Sequence, residues 1–398
     1  MISIEQALNS ILAEVSPVET IDTLPLAEAL GRVLATDQHS DLDVPPADNS
    51  AMDGYAFKSS SLKQDQDNWL PLHQRVAAGH SPAALPEGSA ARIFTGGEIP
   101  SGADTVVMQE QCQEKDGLVL VPSTKPVGNN VRPRGQDIQR GDKVLSRGKK
   151  LAPQDLGLLA SIGKAEVGVS RRLKVAIVST GDELVNPGEA LGPGKIYNSN
   201  RFTLTGLLSS MGIDVVETHL VEDTLDATEQ ALSHAAAHAD CVISTGGVSV
   251  GDEDHVKPAI EKLGQLALWK IAIKPGKPLA FGDIKGTPFF GLPGNPVSVF
   301  ITFAILVRPY LQARQGQTVG KLRTLPLQSN FSSTANPKRQ EYIRVKIDDD
   351  GRVDSYRTQS SGALSSTAWA DALAIIPAGT AVNVGDTLAV IPFSELFN

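Results

Sequence analysis

The sequence predicts a multi-domain chain combining α/β and all-β units. These are a doubly wound, mostly parallel α/β domain, an inserted β-rich domain, a small helical and extended domain, and a C-terminal β-barrel-like domain. Three observations carry this. Between residues 173 and 311 continuous apolar runs alternate with helical patterns, the rhythm of a parallel sheet covered on both faces. On either side lie short β-like runs cut by Gly, Pro, Asn and Asp. The length of 398 residues exceeds what one core normally serves, at ~150 residues per domain.

Taken in order, Ser3-Ile4-Glu5-Gln6 is a capping box, and Ile4, Ala7, Leu8, Ile11, Leu12 and Val15 recur at helical spacing, so an amphipathic helix opens the chain. Short strands follow at 92–95, 105–108 and 118–121, then a helix at 153–162. The β unit is therefore expected to be inserted into a module whose halves flank it: 1–44 with 141–170 around 45–140. An α/β domain spans 171–318. Its strands fall at 175–180, 215–221 and 241–245 and near 268–273, 279–281 and 288–290. Its helices fall at 201–211, 225–239, about 255–263 and 297–311. Residues 319–398 read as short strands at 342–347, 352–357, 373–376 and 387–391, separated by Asp-Gly and Gly turns.

A formal charge of −9 argues against long-range attraction to nucleic acid or an anionic membrane, and 5% aromatics argues against base-stacking platforms. Two cysteines, Cys112 and Cys241, fall in separate units, which excludes a disulfide framework. The first residues carry Glu5 and Glu14 and lack a signal-peptide pattern. The longest uncharged run, 286–307, is broken by Pro293, Gly294, Asn295 and Pro296. What remains, 297–307, spans ~16 Å as a helix, about half a bilayer core. A cytoplasmic protein that spans no membrane is expected.

Two strands end alike, with Ser179-Thr180-Gly181-Asp182-Glu183 and Ser244-Thr245-Gly246-Gly247. Ligands of doubly wound sheets sit beyond the carboxyl ends of strands, where Gly turns and helix N-termini aim N–H groups at anions. Both loops should line one crevice, although Gly also serves any tight β–α turn. Asp252, Glu253 and Asp254 follow the second loop, with Asp182, Glu183 and Asp223 as further acids. Carboxylates beside an anion-binding loop suit a phosphate-bridged Mg²⁺, and they would equally complement the dipole at a helix start. Lys274-Pro275-Gly276-Lys277-Pro278 places two ammonium groups in a proline-stiffened loop after a strand, which lowers the entropy lost on holding an oxyanion. Solvated turn lysines are the alternative. In Gly291-Leu-Pro293-Gly294-Asn295-Pro296-Val-Ser298, Asn295 is placed as N-cap with Pro296 at the first helical position. His234 and His238 stand i, i+4, but Ala-Ala-Ala between them lacks the metalloprotease Glu, so they read as surface or packing histidines. Cys241 reads as a buried core residue.

Taken together, Asn49-Ser-Ala-Met-Asp-Gly-Tyr55, Thr95-Gly-Gly-Glu-Ile-Pro100, Arg134-Gly-Gln-Asp-Ile138, Ser179-Thr-Gly-Asp-Glu-Leu184, Ser244-Thr-Gly-Gly-Val-Ser249, Lys274-Pro-Gly-Lys-Pro278 and Gly291-Leu-Pro-Gly-Asn-Pro-Val-Ser298 resemble the molybdopterin molybdenumtransferase family (MoeA type, shared with the E domain of gephyrin). The resemblance implies a cytosolic, elongated homodimer of four domains per chain. It implies the last step of molybdenum cofactor synthesis, in which adenylylated molybdopterin and molybdate give the cofactor with Mg²⁺-dependent release of AMP. Possible partners are the molybdopterin adenylyltransferase and molybdoenzyme delivery proteins.

Carried over residue by residue, the family's catalytic positions fall on Asp53, Thr95, Asp137, Glu183, Asp223, Asp254, Lys274 and Lys277. The resemblance adds substrate contacts at Ser249 and Pro278, and in the C-terminal domain at Arg339, Arg344 and Ser361, beside Thr180, Gly181, Gly246, Gly247, Pro293, Gly294 and Asn295, which are assigned to substrate from their strand-end and helix-start loops. Metal ligands fall on Asp254, Asp252 and Glu183. The family arrangement sets Asp53 and Thr95 opposite the α/β crevice of the partner subunit. Two positions depart from the family: Gly97 where Ala is common, and Ser360 where Gly is usual, beside Ser361. Molybdopterin adenylylation by ATP, or a gephyrin-like scaffold without catalysis, are the alternative functions.

Overall fold

The computed structural model describes residues 1–64, 66–123, 126–222, 224–247 and 255–397. Its centre is a six-stranded sheet in the order Asp214–Val221, Lys174–Thr180, Cys241–Thr245, Thr287–Leu292, Pro278–Ile284, Gly264–Lys270. The first four strands are parallel, and Pro278–Ile284 pairs antiparallel both with Thr287–Leu292 and with the last strand. Cys241–Thr245 is buried throughout and Lys174–Thr180 all but its first residue, which is why both read as uninterrupted apolar or small runs. Helices Leu225–His238 and Val256–Leu263 cover one face through Leu232, Ala235, Val256 and Ile260. Ser199–Ser210 and the helix from Pro296 cover the other through Leu204, Leu208, Val297 and Phe300.

Three departures from the sequence reading have local causes. The strands expected near 268–273, 279–281 and 288–290 form an antiparallel meander, turned at Lys285 (φ 51°) and Gly286 (φ 86°), with the Asp283 carboxylate accepting from the Gly286 N–H at 2.9 Å. The helix expected to stop at 311 runs from Pro296 to Arg314, 19 residues with a π-turn over Phe303–Val307. Its length and composition would allow a membrane crossing, but 83% of it is buried in the core. The helix accommodates Arg308 because its guanidinium donates to the Glu395 carbonyl at 2.8 Å. Finally, the opening helix Ile4–Ala13 does not join the rest of 1–44. Ala7 and Ile11 pack into the α/β core, and Ile2 bridges to Ile271.

Residues on both sides of the insertion share one core: Ala29 and Leu34 pack with Leu145, Leu151, Leu159 and Val169, and strand Ile21–Pro25 pairs antiparallel with Glu166–Ser170. Ile138 also packs into this core, a few residues before the expected boundary. The inserted unit holds a six-stranded sheet with cores around Phe57 and Val107 on one side and Ile93 and Val106 on the other. At the C-terminus, strands Leu325–Ser329, Gln340–Ile347, Arg352–Ser355, Ala372–Ile376 and Thr387–Pro392 close on themselves, leaving no free edge. The two-residue strand Ile273–Lys274 of the α/β domain pairs parallel with Gln340–Glu341, locking this barrel against the crevice.

Candidate active-site cavity

Where strands Lys174–Thr180 and Cys241–Thr245 end, both chains turn through glycine and come together. Gly246 has φ +89°, and a Cβ there would lie 2.7 Å from the Thr180 carbonyl oxygen, so only glycine lets the two loops touch. Beyond them opens a cavity of about 1070 Å³. Its further walls are the 274–278 loop, the 293–298 turn that starts the long helix, the 196–200 segment, and the 359–364 loop of the C-terminal barrel with Arg339. Two hydrogen bonds tie these walls. Asn200 Nδ2 donates to the Gly294 carbonyl at 2.7 Å, and the Val297 N–H donates to the Ser361 carbonyl at 3.0 Å. Asn295 occupies the N-cap position with Pro296 following, but its side chain makes no capping bond. The helix end is instead served by the barrel.

The two lysines are held differently. Lys274 lies opposite Glu341 in the short parallel ladder, and its ammonium meets the Glu341 carboxylate at 2.7 Å. Glu341 is 4% exposed and also accepts from Asn336 Nδ2 at 2.9 Å. Lys277 is exposed and makes no ion pair among the described residues. Gly276 between them has φ +113° and presses so close to Thr302 that a Cβ would sit 2.3 Å from its hydroxyl. With Arg339, three cations among the described residues line the cavity. Glu183 is the one carboxylate among the described lining residues. A chain of net charge −9 thus collects positive charge at this place.

The structure brings together Thr180, Glu183, Gly246, Gly247, Lys274, Lys277, Pro278, Pro293, Gly294, Asn295, Arg339 and Ser361 around the one cavity. Gly181 follows Thr180, and the Glu183 carboxylate folds back to within 2.4 Å of where a Gly181 Cβ would be. Asp223, Ser249, Asp252 and Asp254 lie outside the described residues. The departure at Ser360 leaves Ser361 in place: Ser360 keeps a negative φ, and its hydroxyl accepts from the Gly362 N–H at 3.3 Å. Gly97 fits its position, since a Cβ would lie 2.9 Å from the Phe94 carbonyl oxygen.

Arg344 corrects the sequence reading. Instead of facing a substrate it is 1% exposed, donating from Nε to Ser366 Oγ at 3.0 Å and from Nη2 to the Ser360 carbonyl at 3.1 Å. Burial pushes its pKa down to about 10. It props the 358–361 loop from beneath and touches the cavity only through that loop.

Asp53, Thr95 and Asp137 do not line the cavity of their own chain. Asp53 and Thr95 are exposed on the inserted unit, where the Asp53 carboxylate accepts from the Thr95 N–H at 2.7 Å and hydroxyl at 2.8 Å. Those bonds hold the Asp53 carboxyl below the usual range. Sequence reasoning missed Tyr197, Asn198, Ser199, Asn200 and Gln359 as lining residues. Asn198 caps helix Ser199–Ser210 by accepting from the Arg201 N–H at 3.2 Å, a local role that gives no sign of the cavity beside it.

Fold and cavity define a class: a multi-domain protein whose α/β unit opens a cation-lined crevice at the carboxyl ends of parallel strands. Three family models match, the MoeA N-terminal region (domain I and II) over residues 2–163, the "Probable molybdopterin binding domain" over 176–313 and the MoeA C-terminal region (domain IV) over 325–393. The chain belongs to the molybdopterin molybdenumtransferase (MoeA) family. It is 39% identical to the molybdopterin molybdenumtransferase of Haemophilus influenzae over 100% of both chains. It is 36% identical to that of Nostoc, covering 93% of this chain and 88% of the relative. Two crystal structures of the molybdopterin biosynthesis moeA protein from Pyrococcus horikoshii superpose with TM-scores of 0.84 and 0.86 at 31% and 28% identity. They cover 99% and 98% of this chain and 99% and 100% of theirs.

Proposed function

We propose that the chain is a molybdopterin molybdenumtransferase, inserting molybdenum from molybdate into adenylylated molybdopterin and releasing AMP. The observation that carries this reading is the single cavity, where two Gly loops, Lys274, Lys277 and Arg339 converge, in a chain whose full length matches enzymes of that name. Both substrates are oxyanions, and fixed cations in a partly enclosed crevice bind such groups more strongly than in water. Lys277 and Arg339 contact phosphate or molybdate oxygens, and the glycine loops approach closely enough to donate backbone N–H groups. Lys274, already oriented by Glu341, supplies a pre-positioned charge, so less freedom is lost when the substrate binds.

The donor set suits Mg²⁺, a hard cation that takes oxygen ligands and keeps several waters. Glu183 sets one carboxylate among the cationic lining, and Asp252 and Asp254 follow the Gly246-Gly247 turn in the chain. These three would hold the ion, which when bound supplies neutralisation of charge developing at the adenylyl phosphorus.

Asp53 and Thr95, exposed and bonded to each other away from their own cavity, would complete the crevice of a second copy in a homodimer. A cytoplasmic location suits a chain with only two cysteines, placed in separate units. The test is AMP formation from adenylylated molybdopterin with and without molybdate. Molybdate-dependent AMP release supports the proposal. Consumption of ATP with release of pyrophosphate would instead identify an adenylylating enzyme.

A further inference from the structure

Away from the cavity, the edge strand Asp214–Val221 and the helix Leu225–His238 bring together a group of side chains that the transferase reading leaves unused. Glu217 and His219, two residues apart, share one face of the strand, and His234 and His238 face them from successive turns of the helix. The Glu217 carboxylate meets His219 Nε2 at 3.0 Å, His234 Nδ1 at 3.2 Å and His238 Nδ1 at 3.7 Å. One donor atom each from Glu217, His234 and His238 lies within 4.8 Å of the others. Glu217 is 18% exposed at its side chain, and His234 and His238 are 57% and 55% exposed, so a cation has open access.

We propose that Glu217, His234 and His238 form a binding site for a divalent transition metal, with Zn²⁺ the cation of matching chemistry and His219 the partner that orients the carboxylate. Imidazole nitrogens with one carboxylate are a borderline-soft donor set that suits zinc and not magnesium. Ligands ~2.0–2.2 Å from a tetrahedral ion stand ~3.3–3.6 Å apart, and His234 Nδ1 stands 3.2 Å from Glu217 Oε2 while His238 Nδ1 stands 3.7 Å from Oε1, so each ring meets one oxygen of the carboxylate near that spacing. Small shifts of the two exposed rings would complete the site, with water in the fourth position. Binding at Nδ1 displaces the 2.9 Å hydrogen bond that His238 otherwise makes to the His234 carbonyl. His219 remains on the carboxylate, the usual place of an outer partner. Without a metal the cluster is a hydrogen-bonded group centred on Glu217, whose pKa is held down by the His219 bond and the neighbouring imidazoles.

A bound cation would cross-link the outermost strand of the sheet to the helix that follows it. His219 pairs with Val178, two register positions before the Val221–Thr180 pair at the cavity mouth, ~7 Å along the strand. The clamp therefore stiffens one edge of the crevice without entering it.

The test uses the full chain and Zn²⁺ alone, in excess Mg²⁺ so that the crevice acids are not the sites counted. After equilibrium dialysis the native chain should retain one zinc more than the H234A/H238A variant. Glu217→Gln and His219→Ala should weaken binding roughly 10- to 100-fold. Co²⁺ added to the native chain should give the visible spectrum of a tetrahedral N/O site, a readout that needs no variant to fold. Relative to its own value in EDTA, each chain's melting temperature reports the metal alone: zinc should raise that of the native chain and leave that of H234A/H238A unchanged. Equal zinc content in the native and H234A/H238A chains, or a Co²⁺ spectrum of the hexaaquo ion only, would overturn the proposal.

Discussion

Replacing Lys274 or Lys277 by alanine should separate two jobs that the KPGKP loop performs. Lys274 forms an ion pair at 2.7 Å with Glu341, whose side chain is 6% exposed while that of Lys274 is 42% exposed. Breaking a fully buried pair costs about 3–5 kcal/mol and an exposed one about 0–1 kcal/mol. A pair with one sunken and one half-wet partner falls between them, at about 1–3 kcal/mol, because among the described residues the orphaned carboxylate keeps Asn336 alone. Lys274→Ala should therefore lower unfolding free energy by that amount in urea. Lys277→Ala, at an exposed side chain without an ion pair among the described residues, should change it by less than about 0.5 kcal/mol. Both should cut molybdate-dependent AMP release, since each removes a charged contact worth about 1.5–3 kcal/mol, roughly 10- to 100-fold. Adding Glu341→Gln to Lys274→Ala should recover part of the lost stability without recovering turnover, the coupling expected of a direct pair. Equal destabilisation by the two single variants, or none from Lys274→Ala, would refute the division of roles.

Further outcomes follow from other contacts. Gly246→Ala forces a side chain into φ +89° against the Thr180 carbonyl and should cost about 2–4 kcal/mol in denaturant, with activity lost even where the protein stays folded. Mixing Asp53→Ala with Lys277→Ala chains should restore about a quarter of native turnover after subunit exchange, because half of the dimers then carry one intact site. No recovery at all would sink the shared-site reading. At Asp240, burial alone would raise the carboxyl pKa, but the Arg171 guanidinium at 2.6 and 2.7 Å and the Lys174 N–H at 2.7 Å outweigh it and hold the pKa below the ordinary range. That stabilisation is fully present above the unfolded pKa of ~3.9 and is lost as pH falls through the folded value. Asp240→Asn should lower the urea midpoint at neutral pH, and the gap between native and variant should narrow as pH falls below the unfolded value, a comparison read directly from two denaturation series.

Local patterning made much of the molecule legible. The buried strands Lys174–Thr180 and Cys241–Thr245 announce themselves as apolar runs, and the Ser3 capping box starts its helix where expected, with Gln6 N–H on Ser3 Oγ at 3.0 Å. Glycine and lysine loops could be read as site elements because their chemistry follows strand ends in the chain. Strand pairing could not be read so directly. The Lys285-Gly286 hairpin and the closure of the C-terminal barrel depend on which edges meet, and hydrogen-bond ladders leave little trace in composition. Arg344 shows the same limit: a long cation near a loop looks like a ligand contact until its burial beneath Ser360 is seen.

The sequence by itself determined the family, the alternation that builds the central sheet, and the residue types that gather around an oxyanion, because these depend on near neighbours along the chain. Only the tertiary structure decided that Lys274 leans on Glu341, 67 residues away, that the opening helix belongs to the α/β core, and that His234 and His238 face Glu217. Each of those outcomes is a contact between distant segments, and packing selects such contacts by shape and burial that no local pattern encodes.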